Sequence, residues 1–160
     1  MAELAAQMGD PIDVQLHRVP FFLEPGYCAK PEGWWESHTT RMVRKFGSQA
    51  AFDQVKRSHR LMPRATEAGL DAEGWSDANL DRRRQSSTLR AHRLISWLDR
   101  TRGWEAAEMA YAILGAAHFV EGEILDDANV LARAAAAAGV DEAAVAAFLA
   151  SDEEESRVLE

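Results

Sequence analysis

The sequence predicts a mostly α-helical domain with one β-strand near its N-terminus, and three observations carry that expectation. Alanine fills 29 of the 160 positions, most of them after Trp104, and alanine is the residue that costs least in a helix and is depleted in strands. From residue 34 onward, glycines and capping residues punctuate the chain at helix-length intervals. Only Ile12 to His17 alternates apolar and polar residues with the period of two that marks a half-buried strand.

Taken in order, Ala2 to Met8 reads as the end of a helix, with Gly9 as its left-handed cap and Pro11 preventing continuation. The strand 12–17 follows, with Ile12, Val14 and Leu16 on one face. Residues 18–33 hold Pro20, Pro25, Pro31, Gly26 and Gly33 and form a Pro/Gly-rich linker without regular structure. The spacing then predicts a helix from Trp34 to about Phe46, closed by Gly47, and one from Gln49 to Ala68, capped by Ser48 and stopped at Gly69. Residues 70–86 are polar and Arg-rich and read as a long loop.

Ser87 or Thr88 starts the next helix, which runs to about Thr101 and places Ala91, Leu94, Ile95 and Leu98 on a core-facing stripe. A helix from Trp104 to Glu121 ends at Gly122. Asp127 caps residues 128–138, which Gly139 closes, and Asp141 caps 142–150. Ser151 and Glu154 have the spacing of a capping box, in which each side chain satisfies the other's orphan amide. The sequence thus reads as beginning inside one helix and stopping near the start of another. A lone strand needs a neighbour for its peptide groups, so residues 12–17 are expected to pair with another molecule, lie solvated against the helices, or fray.

At 17.7 kDa the chain is sized for about one domain with a real core. Its net charge of −8 is unevenly spread. Residues 41–64 and 82–102 each carry +6, while residues 103–160 carry −11. A basic middle and an acidic end attract one another within a fold, and no nucleic-acid motif accompanies the basic runs, so no nucleic-acid partner is expected. No apolar run approaches a membrane span, and no basic-then-apolar leader opens the chain. With Cys28 as the single cysteine, the expectation is a reducing compartment, the cytoplasm, with no membrane association.

Familiar site chemistry is absent from the sequence. There is no glycine-rich phosphate loop, no His-Glu-x-x-His and no Gly-x-Ser-x-Gly elbow. His17, His38, His59, His92 and His118 lie roughly twenty to thirty residues apart, without the i, i+4 spacing that puts two imidazoles on one helix face. Asp126-Asp127 and Asp152 to Glu155 sit at helix starts, where carboxylates favour the dipole. Cys28 has only Lys30 nearby to lower its pKa and reads as a thiol in a loop. Trp34, Trp35, Trp97 and Trp104 read as core or interface material. No catalytic, cofactor-binding or metal-ligating residue, and no cofactor, is therefore assigned from the residues.

The order of several short motifs is more specific than any one of them. The period-two strand runs into Pro20-Phe21-Phe22-Leu23-Glu24-Pro25. Phe46-Gly47-Ser48, Thr88-Leu89-Arg90-Ala91-His92-Arg93-Leu94 and Phe119-Val120-Glu121-Gly122-Glu123-Ile124-Leu125-Asp126 follow. Val130-Leu131 and Gly139-Val140-Asp141 with Phe148-Leu149-Ala150-Ser151-Asp152 complete the series. In this order, over about residues 10–160, the chain resembles the DsbA-like thioredoxin family. It is most similar to the FrnE-type cytosolic disulfide oxidoreductases, with 2-hydroxychromene-2-carboxylate isomerases and kappa-class glutathione transferases as a related branch.

The resemblance implies a thioredoxin-like α/β fold of which residues 34–150 are the helical insertion domain. Residues 1–17 would be a remnant of the thioredoxin-like part, with 12–17 its one remaining strand in an incomplete sheet. Residues 18–33 would link the two parts, and residues 151–160 would start the helix that returns. In the family, a Cys-x-x-Cys segment would precede residue 1 and a cis-proline loop would follow residue 160. Ser87, His118 and Glu123 stand where Asn, Tyr and Asp are usual. The expectation is a family member without dithiol oxidoreductase activity of its own. Two alternatives stand beside it: a non-enzymatic helical module that binds a protein partner, or itself, through residues 12–17 and exposed apolar helix faces; and glutathione-dependent isomerase or transferase chemistry.

Overall fold

The computed structural model describes residues 15–59 and 82–160 and is mostly helical. The element order is strand β1 (Trp35–Ser37), helices α1 (His38–Phe46) and α2 (Gln49–His59), and strand β2 (Arg84–Ser86). Helices α3 (Leu89–Arg102), α4 (Trp104–Ala116), α5 (Ala128–Ala137), α6 (Glu142–Ala150) and α7 (Glu155–Leu159) complete it.

The core is built by α3, α4, α5 and α6. The Ala91, Leu94, Ile95 and Leu98 stripe is buried as its spacing requires, with Leu94 and Leu98 wholly inaccessible beside Leu131 and Val145. Helix α4 meets this stripe through Ala106, Ala107 and Ala110, whose small side chains let two helix backbones come close. Trp97 stacks on Phe148 at 4.7 Å between ring centroids, fastening α6 to α3.

Several boundaries follow the capping chemistry. The Asp127 carboxylate accepts from the amides of Asn129 and Val130, and that of Asp141 from Ala144, each meeting an orphan donor of a first turn. Ser48 Oγ accepts from Ala51 N at 3.1 Å, and α1 ends at Gly47 in the left-handed conformation. Of the helix expected from Gln49 to Ala68, residues 60–68 lie outside the described residues, as do the expected helix end at 2–8 and residues 12–14 of the expected strand.

Five expectations are corrected. The strand expected at Ile12 to His17 is not formed over its described part: residues 15–17 belong to no strand. The sheet lies elsewhere, an antiparallel pair with Trp35 opposite Ser86 and Ser37 opposite Arg84. Residues 35–37 therefore leave the helix expected from Trp34, and α1 begins at His38, capped by Ser37 Oγ on Thr40 N at 3.0 Å. The long loop 70–86 likewise ends in strand β2.

The helix expected from Trp104 to Glu121 keeps α geometry only to Ala116, and residues 117–121 form a wider π turn. That turn closes on Gly122 at φ 72°, where a Cβ would stand 2.8 Å from the Arg82 carbonyl oxygen, so this crossing admits only glycine. The capping box at 151–154 also fails to form. Ser151 Oγ donates to the Phe148 carbonyl and accepts from Glu153 N. Glu154 adopts φ 66°, and its carboxylate turns inward to accept from Ser96 Oγ and Arg100 Nε, both at 2.6 Å. Among the described residues, no helix is long and apolar enough to cross a membrane.

Candidate functional site

The Pro/Gly-rich segment forms one wall of a cleft. Residues 18–22 cross α3 and α4 without regular structure, the chain bends at Leu23 and Glu24, and exposure along 18–24 alternates. Arg18, Pro20, Phe22 and Glu24 turn toward the helices, while Val19, Phe21 and Leu23 stand 85%, 73% and 76% exposed. Charge and ring contacts hold the inward set. His17 Nδ1 lies 2.9 Å from Asp99 Oδ2, and Arg18 makes a two-pronged bond to Glu108 while its guanidinium covers the Tyr111 ring at 3.4 Å. Phe22 packs edge-on to the His92 imidazole at 5.0 Å, and Glu24 accepts from Arg41 Nε at 2.8 Å.

Between this wall, α3, α4 and the π turn lies a cavity of about 290 Å³, lined mainly by apolar surface. Phe21 and Leu23, both largely exposed, border it, and Ile95, Leu114, Phe119 and Leu125 also line it. A neighbouring recess of about 350 Å³ under residues 16–20 shares Phe21, His92, Ile95 and Tyr111 with it. The charged side chains lining the cavity, among the described residues, are Glu24 and Arg41, which pair with each other.

Two histidines contribute to the lining. Burial holds the His92 pKa below the usual imidazole value, opposed in part by a hydrogen bond to the Phe21 main chain. Burial also lowers the His118 pKa, the nearby Arg83 guanidinium lowers it further, and a hydrogen bond to the Glu123 main chain acts the other way. His118 Nδ1 is buried with no hydrogen-bond partner among the described residues. Both imidazoles are therefore neutral at pH 7.

Both tyrosines of the chain line the cavity. Burial, and then the hydrogen bond its hydroxyl donates to Glu36, push the Tyr27 phenol up to about 12, while Arg44 Nη2 donates to that same oxygen at 3.0 Å. Tyr111 is presented by α4 beneath Arg18.

The residues weighed in the sequence lie mostly elsewhere. Cys28 is half-buried outside the cavity lining; burial pushes its thiol up, a hydrogen bond with Ser87 opposing, so it is protonated at neutral pH. Trp34 packs on Tyr27, Trp35 lies under Arg84, and no tryptophan among the described residues lines the cavity. His38 packs on Phe52, and the side chain of His59 lies outside the described residues. Asp127 is a cap. Asp126, in contrast, is buried, its carboxyl pushed up by that burial, and it accepts from the Gly33 amide at 3.3 Å while Arg90 donates to its main-chain oxygen. Among the described residues, no group of three His, Cys, Asp or Glu side chains is placed to hold a metal ion. Glu123 turns to Arg133 on α5.

Tyr27, Arg41, Gln85 and Tyr111 reach the cavity without having been singled out in the sequence. Their only signal was indirect: both tyrosines sit near segments that were read as a linker and a core helix. No family model, no curated protein and no solved structure matches the chain.

Proposed function

We propose that the chain is the helical, substrate-facing part of a DsbA-like, FrnE-type architecture, and that it binds rather than carries out thiol-disulfide exchange. One observation carries this reading. Three segments of the resemblance, 20–25, 88–94 and 119–126, are far apart in sequence and line the same cavity through Phe21 and Leu23, His92, and Phe119 and Leu125. Other members of the same series, Leu94, Leu131 and Phe148, lie in the core.

The chemistry of the chain fits binding. Dithiol exchange needs an attacking thiolate and a resolving partner, and the one cysteine is protonated and outside the cleft. The exposed row Val19, Phe21 and Leu23, continued by Tyr111 and Phe119, is an apolar face of the kind that marks a protein contact. The partner is a protein surface laid over that face, in the cytoplasm, where a single half-buried thiol stays reduced.

The test is an insulin-reduction assay on the purified chain together with light scattering. Turnover no greater than that of a Cys28→Ser control is expected, as is concentration-dependent association that Phe21→Glu with Leu23→Glu abolishes. Turnover above the control, or a clean monomer indistinguishable from the double variant, would overturn the reading.

A further inference from the structure

Residues 19–23 close one side of the cavity, and few contacts hold them there. Among the described residues, no main-chain hydrogen bond joins residues 18–23 to the helices. Charge fastens the two ends, Arg18 on Glu108 and Glu24 on Arg41. Between those anchors the segment meets α3 at His92, whose imidazole lies edge-on to Phe22 at 5.0 Å and bonds the Phe21 main chain. We infer that residues 19–23 are a strap which neutral His92 holds against the helices and which protonation of His92 releases, opening the cavity to water.

His92 stands in the first turn of α3 and lines both the cavity and the neighbouring recess, and Phe21 of the strap borders both. Lifting the strap therefore hydrates the imidazole, and the charged ring gains more from water than the neutral one. In the closed arrangement burial outweighs the bond to Phe21 and holds the His92 pKa below 6.5. The coupling is reciprocal: acid favours the open strap, and opening the strap raises the His92 pKa toward its ordinary value.

The other charged and titratable groups around the two recesses are engaged elsewhere. Glu24 pairs with Arg41 of α1, Arg18 with Glu108 of α4, and His17 with Asp99 further along α3. Protonating His17 would tighten its contact with Asp99, so release is confined to the stretch between Arg18 and Glu24. On α3 itself, Arg90 turns to Glu32, and Arg93 to the main chain of Ser151 and Glu153. Tyr111 of α4 lies under Arg18. His118, on the π turn, bonds the Glu123 main chain rather than the strap, and the Arg83 charge acts on that ring.

The experiment titrates the full chain from pH 8 to 5 with 4-fluorophenylalanine in place of phenylalanine. Fluorine relaxation by a neutral gadolinium chelate reads how far solvent reaches Phe22, assigned through Phe22→Leu, and the imidazole C–H resonance reads His92 in the same sample. Exposure of Phe22 should rise at least about threefold with acid, at the midpoint of the His92 titration. His92→Gln cannot take up the charge and should keep Phe22 covered throughout, while His118→Phe should leave the midpoint in place. Glu108→Gln loosens one anchor and should raise the proton affinity of His92 by about twofold or more. Exposure of Phe22 that is constant with pH or rises equally in His92→Gln, a midpoint displaced by His118→Phe, or a His92 midpoint unmoved by Glu108→Gln would overturn the proposal. If His92→Gln does not fold, the Glu108→Gln shift decides alone. What docks on the outer face of the strap does not enter these readings, so the switch and the protein contact at Phe21 and Leu23 fail separately.

Discussion

Arg18 and Glu108 are joined by two parallel hydrogen bonds, Nε to Oε1 at 2.5 Å and Nη2 to Oε2 at 2.8 Å, ninety residues apart in sequence. The same guanidinium lies over the ring of Tyr111, three positions further along α4. This one side chain ties the wall of the cleft to the helical body.

Glu108→Ala is therefore expected to destabilise the chain by about 1 kcal/mol, the scale of a half-exposed bidentate pair. Cleavage by protease between residues 15 and 24 should rise. Arg18→Ala should cost more, since it also uncovers Tyr111, and the double variant should cost less than the sum. Urea unfolding of the four proteins completes the cycle; strict additivity would show that the two side chains do not interact.

Gly122→Ala should destabilise by about 1–3 kcal/mol, because a left-handed φ and a Cβ at 2.8 Å from the Arg82 carbonyl act together. Gly26→Ala is the control: a Cβ there meets nothing within 4 Å and the residue has no positive φ. Thermal melts of both variants check the contrast.

Leu98→Ala should cost about 2–5 kcal/mol, the range for emptying a wholly buried leucine site. Val19→Ala, at 85% exposure, should change the free energy of unfolding by no more than about 0.5 kcal/mol. Equal effects would contradict the placement of the core between α3, α4 and α5.

The two cavity histidines make stability pH-dependent with a definite sign. Each pKa is depressed from 6.5 in the folded chain, so the unfolded chain binds protons first on acidification. Stability is fully present above 6.5 and falls as pH drops from there toward the folded values. Asp126, pushed upward by burial, acts in the opposite direction and lower, beginning from the carboxylate range. The free energy of unfolding should decline between pH 7 and 5, and His92→Phe with His118→Phe should flatten that slope, as read by urea titrations at several pH values.

Cys28 should react slowly with a disulfide reagent at pH 7 and faster as pH rises past the ordinary thiol value, because burial disfavours its thiolate. A rate at pH 7 above that of a free cysteine would show an activated thiol.

Helices and caps were legible in the sequence because their causes are local. Asp127 and Asp141 meet amides two and three residues away, and the Leu94–Leu98 stripe has a period that any window of the chain displays. Strand assignments lacked such a cause. Trp35 to Ser37 has no distinctive alternation and became a strand only because Arg84 to Ser86 lies beside it, whereas Gln15 to His17 alternates but belongs to no strand. The Ser151–Glu154 pattern failed for the same reason. Ser96 and Arg100 on α3 offer the Glu154 carboxylate a better set of donors than its own helix does.

By itself, then, the amino-acid sequence determined the helical class, the core stripe and the absence of a dithiol, since each depends on residue identity and near-neighbour spacing. Tertiary structure alone decided that Phe21, His92, Tyr111 and His118 share one cavity, and that Glu154 abandons its cap. Most of those relationships join residues far apart in the sequence, and contacts at such separations are set by how helices pack, which no local pattern encodes.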